Sequence, residues 1–197
     1  AALMDSLDHA GWHWGVSVKT RWINSERIEK GENAAALLRG VSGVIVPIGW
    51  GPRGVEGMVE AIRFAREEKV PYLGLCYGMQ LAVVEFARHV VGWSDADTEE
   101  NSTDSKHKVI HVIPAQKEVM ERRAYGGTMR LGRWDCKVFK DSISYESYEK
   151  YGGFIDSKKT IVSERHRHRY EFNDQYAKEL TAKGLHVTGS SVVENLA

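Results

Sequence analysis

The chain is 197 residues long, with 27 basic and 27 acidic side chains and a formal net charge of zero. That length suits one domain with a real core, and the charge balance removes any bulk electrostatic case for nucleic acid or an anionic membrane as partner. No apolar run reaches the length of a membrane span, no signal peptide opens the chain, and two cysteines, Cys76 and Cys136, are too few for a disulfide scaffold, so a cytoplasmic setting is expected.

Residues 2–10 place apolar side chains at helical spacing, with Gly11 as the stop. Val16 to Ile23 alternates and predicts a strand. Asn24-Ser25-Glu26 reads as a cap, and Ala34 to Leu38 as a short helix. Val44-Ile45-Val46-Pro47 is a continuous β-branched run of the parallel, buried type. It leads into the glycine-rich loop Ile48 to Gly54, then an amphipathic helix over Val55 to Lys69 and a second strand over Tyr72 to Cys76. Strand–helix–strand–helix with short connections predicts an α/β fold: an open, mostly parallel sheet with helices on both faces. Ligands in such sheets sit beyond the carboxyl ends of the strands, where the Gly49–Gly54 loop and Cys76 both fall.

The second strand runs into Gly74-Leu75-Cys76-Tyr77-Gly78, and a helix follows at once. This is the strand–turn–helix pattern in which a nucleophile sits on a sharp turn, close to the positive end of a helix that would stabilise a thiolate. The competing reading is a buried cysteine that ends a core strand. Trp93 to His107 is polar, acidic and breaker-rich, and composition alone makes it a solvated loop. Val109 to Pro114 predicts a strand, Gln116 to Arg123 a helix or loop, and Gly126 to Val138 a second β region. Ile143 to Tyr151 reads as a helix, Asn173 to Gly184 as another, and Leu185 to Gly189 as a last strand. In Ile161 to Phe172, alternation puts Arg165, Arg167 and Arg169 on one face and His166, His168 and Tyr170 on the other. The arginines suit a carboxylate fork, or a surface strand paired with Glu164 and Glu171.

A thiol nucleophile needs a base. His89 lies on the helix that follows Cys76 and points away from the active edge, and no other histidine stands out. No carboxylate or thiol stands at metal-ligand spacing from His166 and His168, so no metal is expected. The Gly49–Gly54 loop lacks the Lys-Ser/Thr of a P-loop, and its backbone N–H groups suit an oxyanion hole facing Cys76.

The stretches Val44 to Pro47, Gly49-Trp50-Gly51, Arg53 to Gly57 and Tyr72 to Ala82 resemble the class I glutamine amidotransferase domain of CTP synthases. Gly126 to Gly132 and Ser163 to Glu171 are similar to motifs that mark those enzymes among amidotransferases. The resemblance runs from about Leu3 to Glu194 and implies a flavodoxin-like sheet with an additional small β region. It implies one domain over 1–197 that lacks the family's first strand and its C-terminal His-Pro-Glu segment.

The resemblance also implies an activity, hydrolysis of L-glutamine through a cysteinyl thioester. The ammonia would serve ATP-dependent conversion of UTP to CTP in a separate synthetase domain. ATP and Mg belong to that domain, and no cofactor is expected in this one. GTP would be an allosteric effector, and the full enzyme a homotetramer. Carried over, Cys76 is the nucleophile, and Gly49 and the Tyr77 backbone N–H are oxyanion donors. Gln80, Glu100 and Arg169 hold the amino acid moiety, and Arg53 and Thr128 match positions tied to GTP. The acidic loop then becomes a substrate wall.

Four departures bear on competence. Ile48 replaces a family glycine, and would be strained by roughly 1–2 kcal/mol if that position needed positive φ. Tyr77 replaces a leucine, bringing bulk expected to face the pocket. Asn101 to Asp104 competes with Asp97 to Glu100 for the family's Asn-Ser-Thr-Glu. The His-Pro-Glu base and orienter are missing from this span, so the 197 residues alone are expected to have no appreciable glutaminase activity. The alternative reading is therefore a catalytically impaired amidotransferase-like module with a structural or regulatory role.

Overall fold

The computed structural model describes residues 2–113 and 130–192. Helix α1 (Ala2–Trp14) runs past Gly11, where the sequence predicted a stop. Gly11 is buried because the chain turns back over it: the Val16 N–H donates to the Gly11 carbonyl at 2.9 Å, and a Cβ at Gly11 would lie 2.7 Å from the Val16 oxygen. The helix ends instead at Gly15, whose φ of 65° suits the left-handed position that closes helices. The strand expected over Val16 to Ile23 does not form. Among the described residues no ladder pairs with it, and Val16 and Trp22 are exposed; an extended segment without a neighbour is not a strand.

Asn24 and Asn33 cap α2 (Ser25–Glu29) and α3 (Ala34–Leu38), each side chain accepting from a backbone N–H of the first turn. Strand β1 (Val44–Val46) pairs in parallel with β2 (Tyr72–Gly74), Val44 opposite Tyr72 and Val46 opposite Gly74. Between them α4 (Val55–Glu67) is the crossover. Its Val55, Val59 and Ile62 enter one buried cluster with Val46, Leu81, Val84 and Ile110, while its Ala61 and Ala65 enter a second with Ile28, Leu38 and Val44. One helix thus buries two faces, which fixes where the ends of β1 and β2 emerge.

Helix α5 (Tyr77–Phe86) continues into one π turn (Ala87–Val91). Its buried Glu85 carboxylate meets the Arg66 guanidinium of α4 at 2.8 to 3.1 Å, a bidentate clamp between the two helices. The acidic stretch after it is ordered rather than solvated. It contributes β3 (Asp97–Thr98), parallel to β4 (Lys108–Val112). Strand β8 (Tyr170–Phe172) joins β4 antiparallel. Strands β5 (Arg130–Val138), β6 (Phe154–Asp156), β7 (Ile161–His168) and β9 (Gly189–Ser191) form a separate antiparallel sheet in the order β6-β7-β5-β9, with α6 (Ile143–Tyr151) beside it.

The β1–β2 pair is parallel as expected, β3 of the parallel β3–β4 pair forms in a stretch expected to be a solvated loop, and the antiparallel part is larger than a small addition. The short Ser157 to Thr160 turn forces the β6–β7 pair to be antiparallel, since only long crossovers allow parallel pairing. The helix predicted over Asn173 to Gly184 is a 3₁₀ turn (Asp174–Tyr176) followed by α7 (Ala177–Ala182). The strand predicted over Leu185 to Gly189 is displaced to β9. The segment predicted over Gln116 to Arg123, and residues 126–129 with Thr128, lie outside the described residues. No helix among the described residues is long and apolar enough to cross a membrane.

Candidate functional site

The turn from β2 into α5 is held by its glycines through packing. Neither Gly74 nor Gly78 has positive φ. A Cβ at Gly74 would lie 2.6 Å from the Gly78 carbonyl carbon, and one at Gly78 would lie 2.1 Å from the Val46 carbonyl oxygen. That closeness lets the Leu75 N–H donate to Val46 at 3.0 Å and the Tyr72 hydroxyl donate to the Gly78 carbonyl at 2.7 Å. The strain falls on Cys76 itself, at φ 54° and ψ −103°, a region that costs a side-chain-bearing residue about 1–3 kcal/mol. Such strain survives only because the elbow is pinned on both sides.

Cys76 is half-buried at the start of α5. Burial pushes its thiol pKa up, the Tyr77 backbone N–H against the sulfur pulls it down, and the nearby Glu100 carboxylate pushes it up again. The net shift is upward. The thiolate stabilisation expected from the helix end is outweighed by desolvation, so this thiol needs a base to react at neutral pH.

The glycine-rich loop lies over the elbow. Gly51 and Gly54 have φ of 74° and 72°, values that favour glycine. Ile48 is not at positive φ, so the strain anticipated for a β-branched residue there is absent. The Gly49 Cα sits against the Tyr77 ring: a Cβ there would be 3.2 Å from Cδ1. Tyr77 is 1% exposed, so its bulk is buried beneath the loop rather than facing an open pocket. Its hydroxyl donates to the Gly51 carbonyl at 2.7 Å, and the Asn101 side-chain amide donates to that hydroxyl at 2.8 Å. The Gly51 N–H in turn donates to Glu100 Oε1 at 3.0 Å. Of the two registers open in the sequence, the structure therefore brings Glu100 to the site. Asp104 is exposed and accepts from the Thr103 hydroxyl at 3.4 Å. Burial raises the Glu100 pKa and the Gly51 N–H lowers it, with burial the larger cause.

Gln80, 4% exposed, lies one helical turn after Cys76 and donates from Nε2 to the Tyr170 carbonyl at 3.1 Å. Arg169, the residue before Tyr170, stands in the break between β7 and β8, its carbonyl accepting from Ile113 N–H at 2.8 Å. The break interrupts the alternation: Arg165 and Arg167 are exposed, whereas Arg169 is half-buried. Arg53 is outside this group. It is exposed and ion-paired with Glu26 of α2, so the structure places it at the rim of the loop. Glu171 faces Arg130 in a buried pair at 3.2 Å, not on the surface.

Several histidines are committed elsewhere. His89 contacts Glu85, His107 pairs with Asp95 at 2.7 Å and stacks on Trp93, and His166 and His168 meet each other at 2.9 Å. Among the described residues no group of three His, Cys, Asp or Glu could hold a metal ion. What the sequence reading missed is Asn101 and the side chain of Tyr77. The signal was thin, since a polar residue beside Glu100 in a turn-rich stretch looks like ordinary loop chemistry.

The arrangement is a strained thiol with a backbone N–H on its sulfur, a glycine loop above it and a carboxylate beside it, a nucleophile and backbone donors of the kind that acyl transfer uses. The family model for glutamine amidotransferase class-I matches residues 2–196. Two CTP synthases are similar to the chain, from Caldanaerobacter subterraneus subsp. tengcongensis at 46% identity and Clostridium acetobutylicum at 44%. Each match covers 195 residues, 99% of this chain and 34% of the relative, so the chain spans about a third of the length of these curated relatives. Among solved structures, the glutaminase domain of Trypanosoma brucei CTPS with bound acivicin superposes with a TM-score of 0.82 at 36% identity, covering 95% of this chain and 67% of that one.

Proposed function

The chain belongs to the class I glutamine amidotransferase family and aligns with the glutaminase domain of CTP synthases, and from that premise we propose that it hydrolyses L-glutamine through a thioester on Cys76. The observation that carries the reading is the strained Cys76 elbow, with the Tyr77 N–H on the sulfur and Glu100 and the Gly49–Gly51 loop beside it.

In this mechanism Sγ attacks the side-chain amide carbon of glutamine as its proton passes to a base. The carbonyl oxygen takes up negative charge and is met by the N–H groups of Gly49 and Tyr77. The C–N bond then breaks, nitrogen collects the proton from the base, and ammonia leaves a γ-glutamyl thioester. Water attacks the thioester, giving glutamate and restoring the thiol. Glu100 offers its carboxylate to the α-ammonium, and Gln80 with Arg169 holds the rest of the amino acid group. The base is none of the histidines placed above, and the reading assigns it to the family's His-Pro-Glu motif beyond the last strand.

The ammonia would serve ATP- and Mg-dependent amination of UTP in a synthetase domain, within a homotetramer activated by GTP near Arg53 and Thr128. Two of the four departures behind the reading of an impaired module lose their force, because Ile48 is not at positive φ and the Tyr77 ring is buried. The test is glutamate release from glutamine by the full-length enzyme. Cys76→Ala should abolish it while Cys136→Ala leaves it intact; no release, or release unchanged by Cys76→Ala, would overturn the reading.

A further inference from the structure

The Tyr77 hydroxyl closes a ring that joins three separate parts of the chain. It donates to the Gly51 carbonyl at 2.7 Å, the Gly51 N–H donates to Glu100 Oε1 at 3.0 Å, and the neighbouring Asn101 amide donates back to the Tyr77 oxygen at 2.8 Å. The elbow, the glycine loop and the acidic turn are therefore tied at one phenol. The geometry points to Tyr77 as a positioning residue that holds the Gly49–Gly51 loop over Cys76 through its side chain, with Asn101 as its partner.

Three features argue for this role. First, Gly51 is gripped through the peptide groups on both its sides, its N–H by Glu100 and its carbonyl by Tyr77. The Arg53–Glu26 pair ties only the far end of the loop; on the near side Trp50 and Ile48 are 80% and 69% exposed, and the glycines at 49 and 51 have no side chains to pack. A glycine loop left to itself samples many conformations, and an oxyanion hole works only when its donors are fixed before charge develops. Second, the ring of Tyr77 fills the space directly under Gly49, so the same residue sets the height of the loop by contact and its lateral position by hydrogen bond. Third, the phenol is buried and its pKa is pushed up to about 12, so it remains a donor at any pH at which the enzyme works.

The ring also separates two effects that a single mutation could confuse. Removing the hydroxyl leaves the Gly51 N–H on Glu100, so the carboxylate that would take the substrate ammonium keeps its partner. What is lost is the fixed distance between the loop and the elbow, which matters when the carbonyl oxygen becomes negative. The loss belongs to kcat rather than to KM.

This inference rests on the glutaminase reading, and its test keeps the two apart. Tyr77→Phe, Asn101→Ala and the double variant are prepared in the full-length enzyme. Glutamine-dependent and ammonium-dependent CTP formation are then measured side by side. The expected result is a roughly tenfold fall in glutamine-dependent kcat in each single variant, with KM for glutamine within about twofold of the parent. The double variant should be no worse than the poorer single one, because both act through one ring. Ammonium-dependent turnover should be unchanged, which confines the loss to the glutamine-dependent step, and a KM for glutamine within about twofold shows that the glutaminase site is folded. A Tyr77→Phe kcat within twofold of the parent, losses confined to KM, or fully multiplicative effects would overturn the inference. A parent enzyme with no Cys76-dependent use of glutamine would overturn the glutaminase reading instead.

Discussion

Gly78→Ala tests whether the elbow is held by packing rather than by glycine's freedom of φ. The added Cβ would stand 2.1 Å from the Val46 oxygen and 2.9 Å from its carbonyl carbon, both backbone atoms that no side-chain rotation can move aside. Ordinary van der Waals contact requires the strand and helix to part by about 1 Å. That movement stretches the Leu75 N–H···O=C Val46 bond, now 3.0 Å, beyond hydrogen-bonding range. Overpacking costs about 1–3 kcal/mol and the lost bond about 1 kcal/mol, for a total of about 2–4 kcal/mol. For a domain of this size each kcal/mol lowers Tm by about 2–4 °C, so a thermal melt followed by circular dichroism should shift down by about 5–15 °C. Gly40→Ala is the control, since Gly40 has φ of 75° and nothing within 4 Å of its would-be Cβ. It pays only a conformational cost of about 1–2 kcal/mol. A Gly78→Ala melt within 2 °C of the parent, or above that of Gly40→Ala, would refute the packing account.

Three further outcomes follow from the electrostatics. Glu100→Gln removes a negative neighbour that raises the Cys76 thiol; alkylation of Cys76 by iodoacetamide at pH 7 should then quicken roughly two- to fivefold while KM for glutamine rises, and slower alkylation would count against the contact. Arg66→Ala strands the Glu85 carboxylate, whose side chain is 2% exposed, but Arg66 itself is 33% exposed and water can reach the gap. The loss in a urea titration should therefore be about 2–3 kcal/mol, below the range for a fully buried pair. His168 is pushed down to about 4, chiefly by burial. Its folded form holds fewer protons than the unfolded chain between pH of about 6.5 and 4, so stability falls as pH drops through that window. His168→Gln should flatten that fall by up to about 2–3 kcal/mol between pH 7.5 and 4.5, and an unchanged slope would assign the acid sensitivity to other groups.

How much of this was legible depended on whether a signal was local. The elbow was readable because strand, glycine, cysteine and glycine follow one another within a few residues, and the clash distances at Gly74 and Gly78 show why those residue types are needed. Helix α4 was readable from the spacing of Val55, Val59 and Ile62. The stretch Val16 to Ile23 was misread because alternation reports a preference for extension, whereas a strand also needs an edge to pair with. The stop assigned to Gly11 failed for a related reason. A glycine inside a helix was demanded by the chain folding back over it, a long-range contact that composition cannot report.

Tyr77 shows where local reading ends in the site itself. From the sequence alone it is a bulky residue in a leucine's place, and the cost of that bulk is the natural inference. Its benefit depends on two partners, Gly51 and Asn101, that lie 26 and 24 residues away. Neither carries any mark of the role. A backbone carbonyl is supplied by every residue, and Asn101 sits in a turn-rich acidic stretch where asparagine is unremarkable. The same holds for Glu100, whose rival Asp104 fitted the motif spacing almost as well and was separated from it only by the hydrogen bond to Gly51. Reaction chemistry concentrates on residues with distinctive side chains, and these the sequence displays. The groups that hold such chemistry in register are often backbone atoms and common polar residues, so their role emerges only once the fold has brought them together.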